Sequence, residues 1–134
     1  MHLRQPAAKQ GDRIVALDTH IVFVPVGSAL VAQPLAHAFS GVINARLSSN
    51  VNIMKKPAAT VDSTADNKPA HIPTLPGQSF QHPPTNLGKI VRGSQSVKIN
   101  GKAAARNGDV AETCNDPKEK PIGKVVATGS VLIG

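Results

Sequence analysis

A chain of 134 residues is long enough for one domain around a single core. Its composition excludes an ordinary core: there is no Trp or Tyr and only three Phe, while eleven Gly and eleven Pro interrupt the chain, and aromatic side chains normally supply much of the buried area. Fifteen Lys and Arg against eight Asp and Glu leave a net charge of +7, but the basic residues are scattered and the aromatic platforms that hold single strands are missing, which weighs against nucleic acid as a partner.

The first segment, MHLRQPAAKQ, has no apolar stretch of the secretory-signal kind. The most apolar run, Ile21 to Ala36, is broken by Pro25 and Pro34 and falls short of the ~20 residues a spanning helix needs. Prolines spread from Pro6 to Pro121 leave few windows for a long helix. The apolar content is mostly Ala, Val and Ile, which suits thin β-layers, so the predicted fold is all-β with long irregular connections. A thin-cored domain needs a staple, and with a single cysteine that staple has to be a metal rather than a disulfide.

Further along, the chain repeats itself. PAAKQGD (Pro6 to Asp12), PAATVDS (Pro57 to Ser63) and AAARNGD (Ala103 to Asp109) align without gaps. Alternating segments precede the last two, with Val51 and Ile53 in one and Val97 and Ile99 in the other, the pattern of half-buried strands. No such block is visible ahead of the first copy, and the second copy ends in Asp-Ser where the others have Gly-Asp. Asn100-Gly101 predicts a type I′ hairpin turn. A second recurring block starts at Gly41, Gly88 and Gly123, the last ending in VLIG at Gly134. Three β-units follow, roughly 5–40, 41–87 and 88–134, within one domain spanning 1–134.

Counting from each Ala-rich motif reaches a good metal donor: His20 and His71 at the same spacing, and Cys114 eleven residues after Ala103. Three equivalent loops around a pseudo-threefold axis would bring these side chains together, and tetrahedral zinc requires a fourth N or S ligand. His37 and His82 both qualify. His37 is preferred because it lies in the apolar PLAHAF, where an unpartnered imidazole would be costly; His82 lies in FQHPPTN, which reads as an exposed polyproline-like turn. His2, in the terminal tail, is the least suited. Asp18 and Asp116 flank two of the donors and read as supporting or turn residues.

These motifs resemble the PAAR-repeat family, the spike-tip proteins of contractile injection systems, carried here as GDRIVALDTHIV, NVNIMKKPAATV, SVKINGKAAARNGD, ETCNDP and GKVVATGSVLIG. The resemblance implies a cone narrowing to a vertex stapled by one structural zinc on three histidines and one cysteine, met here by His20, His71, Cys114 and either His37 or His82. It implies a structural protein rather than an enzyme, seated as a monomer on a trimeric VgrG-type β-helical spike and making transient contact with a target membrane. The alternating segments Val51–Ile53, Val97–Ile99 and Val131–Ile133 are the candidate docking strands. Effector cargo is expected on a separate chain, with no fused effector domain. Synthesis in a bacterial cytoplasm followed by export on the particle is the expected localisation. The competing readings are a basic β-module that binds nucleic acid and a zinc-dependent hydrolase.

Overall fold

The computed structural model describes residues 3–134, so His2 lies outside the described residues. It is all-β, as expected, with thirteen strands and no helix among the described residues, and so no helix long and apolar enough to cross a membrane. In chain order the strands are β1 (Gln5–Pro6), β2 (Arg13–Val26), β3 (Ala29–Ala45), β4 (Asn52–Ile53) and β5 (Lys56–Pro57). Then come β6 (Thr64–Asn67), β7 (Ser79–Phe80), β8 (Leu87–Ile90), β9 (Lys98–Ile99), β10 (Lys102–Ala103), β11 (Val110–Thr113), β12 (Lys120–Val126) and β13 (Leu132–Ile133). Strands β2, β3, β6, β8, β11 and β12 pair in that order, and β12 pairs back onto β2, so all the pairings are antiparallel and the sheet closes on itself. Closure leaves no free edge in that part of the sheet.

The Ala-rich motifs sit at one end of this barrel, where the three chain segments meet. Ala8 N–H donates to the Ala105 carbonyl at 2.9 Å, Ala105 N–H to Ala59 at 3.1 Å, and Ala59 N–H to Ala8 at 3.0 Å, a closed ring of three hydrogen bonds. A second ring surrounds it, with Gln10 N–H on Pro57 O, Val61 N–H on Ala103 O and Asn107 N–H on Pro6 O, each 2.9 Å. Ala8, Ala59 and Ala105 are completely buried. Backbones that approach closely enough to bond one another across an axis leave room for a methyl group and little more, which is why the motif is built on alanine. Above this layer lie Ile14, Ala65 and Ala111 with Ile43, Ile90 and Val125. Higher still, Phe39 fills the axis because Gly41 and Gly88 make way for it: a Cβ on Gly88 would stand 3.1 Å from the ring, and one on Gly41 3.0 Å.

Below the alanine ring three short ladders hang: β4 with β5, β9 with β10, and β1 with β13. They are equivalent, since Ala58 N–H, Ala104 N–H and Ala7 N–H donate to Val51, Val97 and Val131 carbonyls respectively. The strand block that the first copy lacks is therefore supplied from the other end of the sequence, by Leu132–Ile133. The Asn100-Gly101 turn has positive φ at both residues (53° and 79°), as type I′ requires. Its equivalent in the second copy holds Met54 and Lys55 at φ 50° and 69°, where side chains are disfavoured. The left-handed position of Gly11 and Gly108 is likewise taken in copy two by Asp62, at φ 81°.

The apolar run Ile21 to Ala36 lies in the longest element of the fold, the β2–β3 hairpin, paired without a break from Arg13↔Val42 to Val26↔Ala29. Gly27, the first of its two turn residues, has φ 61°, and Ser28 does not have positive φ, as in a type II′ turn. Its prolines are tolerated because of register. Ile21, paired with Pro34, sends its N–H to Asp116 Oδ2 (2.8 Å) and its carbonyl to Gln81 N–H (2.9 Å), away from β3. The pair is thus a non-hydrogen-bonded one, Pro34 nitrogen faces outward, and Pro25, four residues beyond Ile21, faces outward on the other edge.

Replacing Lys55 or Asp62 by Gly should raise stability by about 1 kcal/mol each, because the left-handed backbone no longer opposes a side chain. The Asp62–Lys102 ion pair lost in the second variant is solvent-exposed and worth little. Denaturant unfolding of both variants checks this; a loss of stability would mean that the side chains matter more than the backbone.

Candidate metal centre

Strand alternation puts Asp18 and His20 on the same face of β2, two residues apart. That face points into the barrel above Phe39, and both residues are buried. Cys114 comes from the end of β11. The pairing of β11 with β12 shifts register between Ala111 and Thr113, and the three consecutive residues Thr113, Cys114 and Asn115 are all buried. A stretch that is polar in sequence is interior here. His71 arrives on the irregular segment after β6, held by Asn86, whose Oδ1 accepts His71 N–H at 2.8 Å, and by Asn67, whose Nδ2 lies 3.2 Å from His71 Nδ1.

One donor atom from each of Asp18, His20, His71 and Cys114 lies within 4.8 Å of the others, so the group could hold a metal ion. Three of the four are residues to which repeat spacing pointed. The Asp18 carboxylate accepts bonds from Thr113 Oγ1, from Asn115 Nδ2 at 3.3 Å and from the Cys114 thiol at 3.5 Å, and His71 Nε2 stands 2.9 Å from it. His20 is the exception: both of its ring nitrogens are buried with no hydrogen-bond partner, and the nearest acid, Asp116, is 3.6 Å from Nδ1. A buried imidazole in that condition costs free energy unless something else uses its lone pair. The donor set of two imidazoles, a thiol and a carboxylate suits zinc or a similar divalent transition metal.

Electrostatics agree. Burial, reinforced by His71, holds the His20 imidazole below its ordinary pKa, and burial does the same to His37. Burial and the Asp18 carboxylate push the Cys114 thiol up to about 11. The His20 and His37 imidazoles are thus held toward their neutral form, as ligands must be, while the Cys114 thiol needs a cation beside it to ionise near neutral pH.

The two candidates for a fourth ligand fall in different places. His37 is buried, its ring 5.5 Å from that of His20 and 5.6 Å from that of His71. Both its nitrogens are engaged in this conformation: Nδ1 is 2.9 Å from the Leu35 carbonyl, and Nε2 accepts Thr74 N–H at 3.0 Å. His82 is exposed and shares a surface groove with His20, Cys114 and Asp116. The carboxylate of Asp18, which the sequence suggested only as a support, is the donor that stands among the other three. The signal for it was its two-residue spacing from His20 on a strand. Phe80 closes the group from the side, its ring 5.9 Å from His20 and 5.4 Å from His37.

The docking candidates lie at the opposite end. Ile53 is buried against Ala7 and Ala58; Val51, Ile99 and Ile133 pack partly on the same cluster. Val97 is half-buried, and Val131 is exposed.

Elemental analysis should find about one divalent transition metal per chain. His20→Ala, His71→Ala and Cys114→Ala should each lose it, with a stability loss of about 3 kcal/mol or more, because binding free energy in such a site is folding free energy. Asp18→Asn, His37→Ala and His82→Ala, measured alongside, identify the remaining donor. Full metal content and unchanged melting in the first three variants would remove this cluster as the site.

The PAAR motif family model matches residues 81–134. No curated protein matches the chain.

Proposed function

From a PAAR motif at residues 81–134, which supports a PAAR-repeat protein of the spike-tip family with a structural role in contractile injection systems, we propose that this chain caps a trimeric VgrG-type β-helical spike and carries one structural zinc near its apex. The observation that carries the reading is the end of the barrel bearing the alanine ring. Three equivalent two-stranded ladders there surround a ring of hydrogen bonds, so a single chain offers threefold-related strand ends. A trimeric β-helix ends in three strand edges, and edges left open invite unwanted pairing. A monomer with pseudo-threefold symmetry can cover all three at once by strand addition.

The docking residues would be Val51, Ile53, Val97, Ile99, Val131 and Ile133. Ile53 supports the ladder from within, Val131 is exposed, and Val97 is half-buried without packing on the cluster that holds Val51, Ile99 and Ile133. Zinc would be held by His20, His71 and Cys114 with a fourth protein donor from Asp18, His37 or His82. Four protein ligands leave no position for a reactive water, so the metal's contribution is rigidity rather than catalysis. In this reading the protein is made in the bacterial cytoplasm and leaves on the particle.

A trimeric VgrG-type spike fragment should retain the protein at one chain per trimer. The Val97→Asp/Val131→Asp double variant should reduce that affinity at least tenfold, since two buried carboxylates would lack partners, while metal content stays at the wild-type level. Undiminished capture by the double variant would show that this end is not the docking face.

A further inference from the structure

All charged residues of the chain lie outside two segments: there is no Asp, Glu, Lys or Arg between Asp18 and Arg46, nor between Lys68 and Lys89. The fold brings the outer parts of these segments, residues 21–36 of the first with the neighbouring His37 and residues 72–80 of the second, together at the end remote from the alanine ring, while residues 41–45 and 87–88 stay in the barrel. Thr74 N–H and Oγ1 bond His37 Nε2 and the Ala36 carbonyl, Gln78 N–H bonds the Phe23 carbonyl, and Ser79–Phe80 pairs with Val22–Phe23. What results is an uncharged apex on a protein of net charge +7, and its apolar side chains point outward. Leu30 is 56% exposed, Val26 54%, Ile72 77% and Leu75 86%. Residues Gly27 to Pro34 are all exposed.

We propose that this apex, the β2–β3 hairpin end with the 72–75 loop beside it, is a lipid-partitioning element that inserts shallowly into a bilayer on contact. An aqueous partner of acidic or basic character would need charges to steer and orient it, and the apex offers none. A peptide that added itself as a strand would need free donors on the hairpin edges, but Pro25 and Pro34 each place a ring nitrogen in an outward-facing slot, one on either edge. Lipid rewards both features: the absence of charge removes the largest cost of entry, and each outward proline leaves one fewer N–H to desolvate. The hairpin is not closed, so its remaining edge groups forbid passage through the hydrocarbon layer. Insertion is therefore limited to the headgroup and upper acyl region, about 5–10 Å deep. This extends the spike-tip reading to a specific partner surface, but it stands on residues at the other end of the molecule.

Liposome flotation with the intact, metal-loaded protein tests it. Binding to both phosphatidylcholine vesicles and phosphatidylethanolamine–phosphatidylglycerol vesicles, persisting in high salt and weakened about tenfold by Leu30→Asp/Leu75→Asp, supports the proposal. These side chains are exposed, so melting and metal content should not move. A Leu30→Trp variant gives a single fluorophore in a chain without Trp, and its emission should shift to the blue and be quenched by brominated lipid. Absence of flotation overturns the proposal. So does binding confined to anionic vesicles that salt abolishes and the Asp variant retains, which would be adhesion through the basic surface, and so does a Trp that stays in water. Spike capture by the Leu30→Asp/Leu75→Asp variant and flotation of Val97→Asp/Val131→Asp separate a failure here from a failure of the docking reading.

Discussion

Three backbone hydrogen bonds, passed in a circle among Ala8, Ala105 and Ala59, set the geometry of the rest. Chains meeting this closely on an axis can carry only methyl groups, which fixes the composition of the motif. Because the segments meet at one point and diverge from it as antiparallel pairs, the barrel opens just enough to hold one aliphatic layer and one phenyl ring. Above that ring the interior is lined by the polar side chains of Asp18, His20 and His37 and by the Cys114 thiol. His20 stands among them buried and without a hydrogen-bond partner, so a bound ion would supply cohesion there that hydrogen bonding does not.

The two ends of the molecule are therefore held by different forces. At the alanine end, backbone hydrogen bonds and close packing suffice. At the other, four donors from β2, the segment after β6 and the end of β11 converge, so a bound ion would tie three distant stretches of chain together. A bound ion would also brace the long hairpin, whose outer edges beyond the cluster are met, among the described residues, by β7 and the loop around Thr74.

Much of this was legible in the residues. The repeats, the Asn-Gly turn and three of the four clustered donors could be read directly, because each is a local pattern recurring at fixed spacing. What escaped was whatever depended on distant partners. The first copy seemed to lack its strand because that strand lies at Leu132–Ile133, paired with Gln5–Pro6. The long hairpin was hidden because two prolines argue against strands, and only the pairing register reveals that both face outward. Met54-Lys55 gave no turn signal, since the equivalent position in the third copy carries Asn-Gly. Cys114 sat in a polar stretch that is buried together with Thr113 and Asn115, three consecutive residues that no strand or helix periodicity announces.

Pairing β13 with β1 has a mechanical meaning as well. In a stack of repeats, load passes from one unit to the next in series, and the weakest junction fails first. A ring of three units joined end to end shares an axial load in parallel, because no unit can peel away until the alanine circle and the barrel seams on both its flanks have given way. Repeats arranged in this way cannot be added or removed singly; their number is set by closure, and resistance to crushing along the axis is a property of the whole ring.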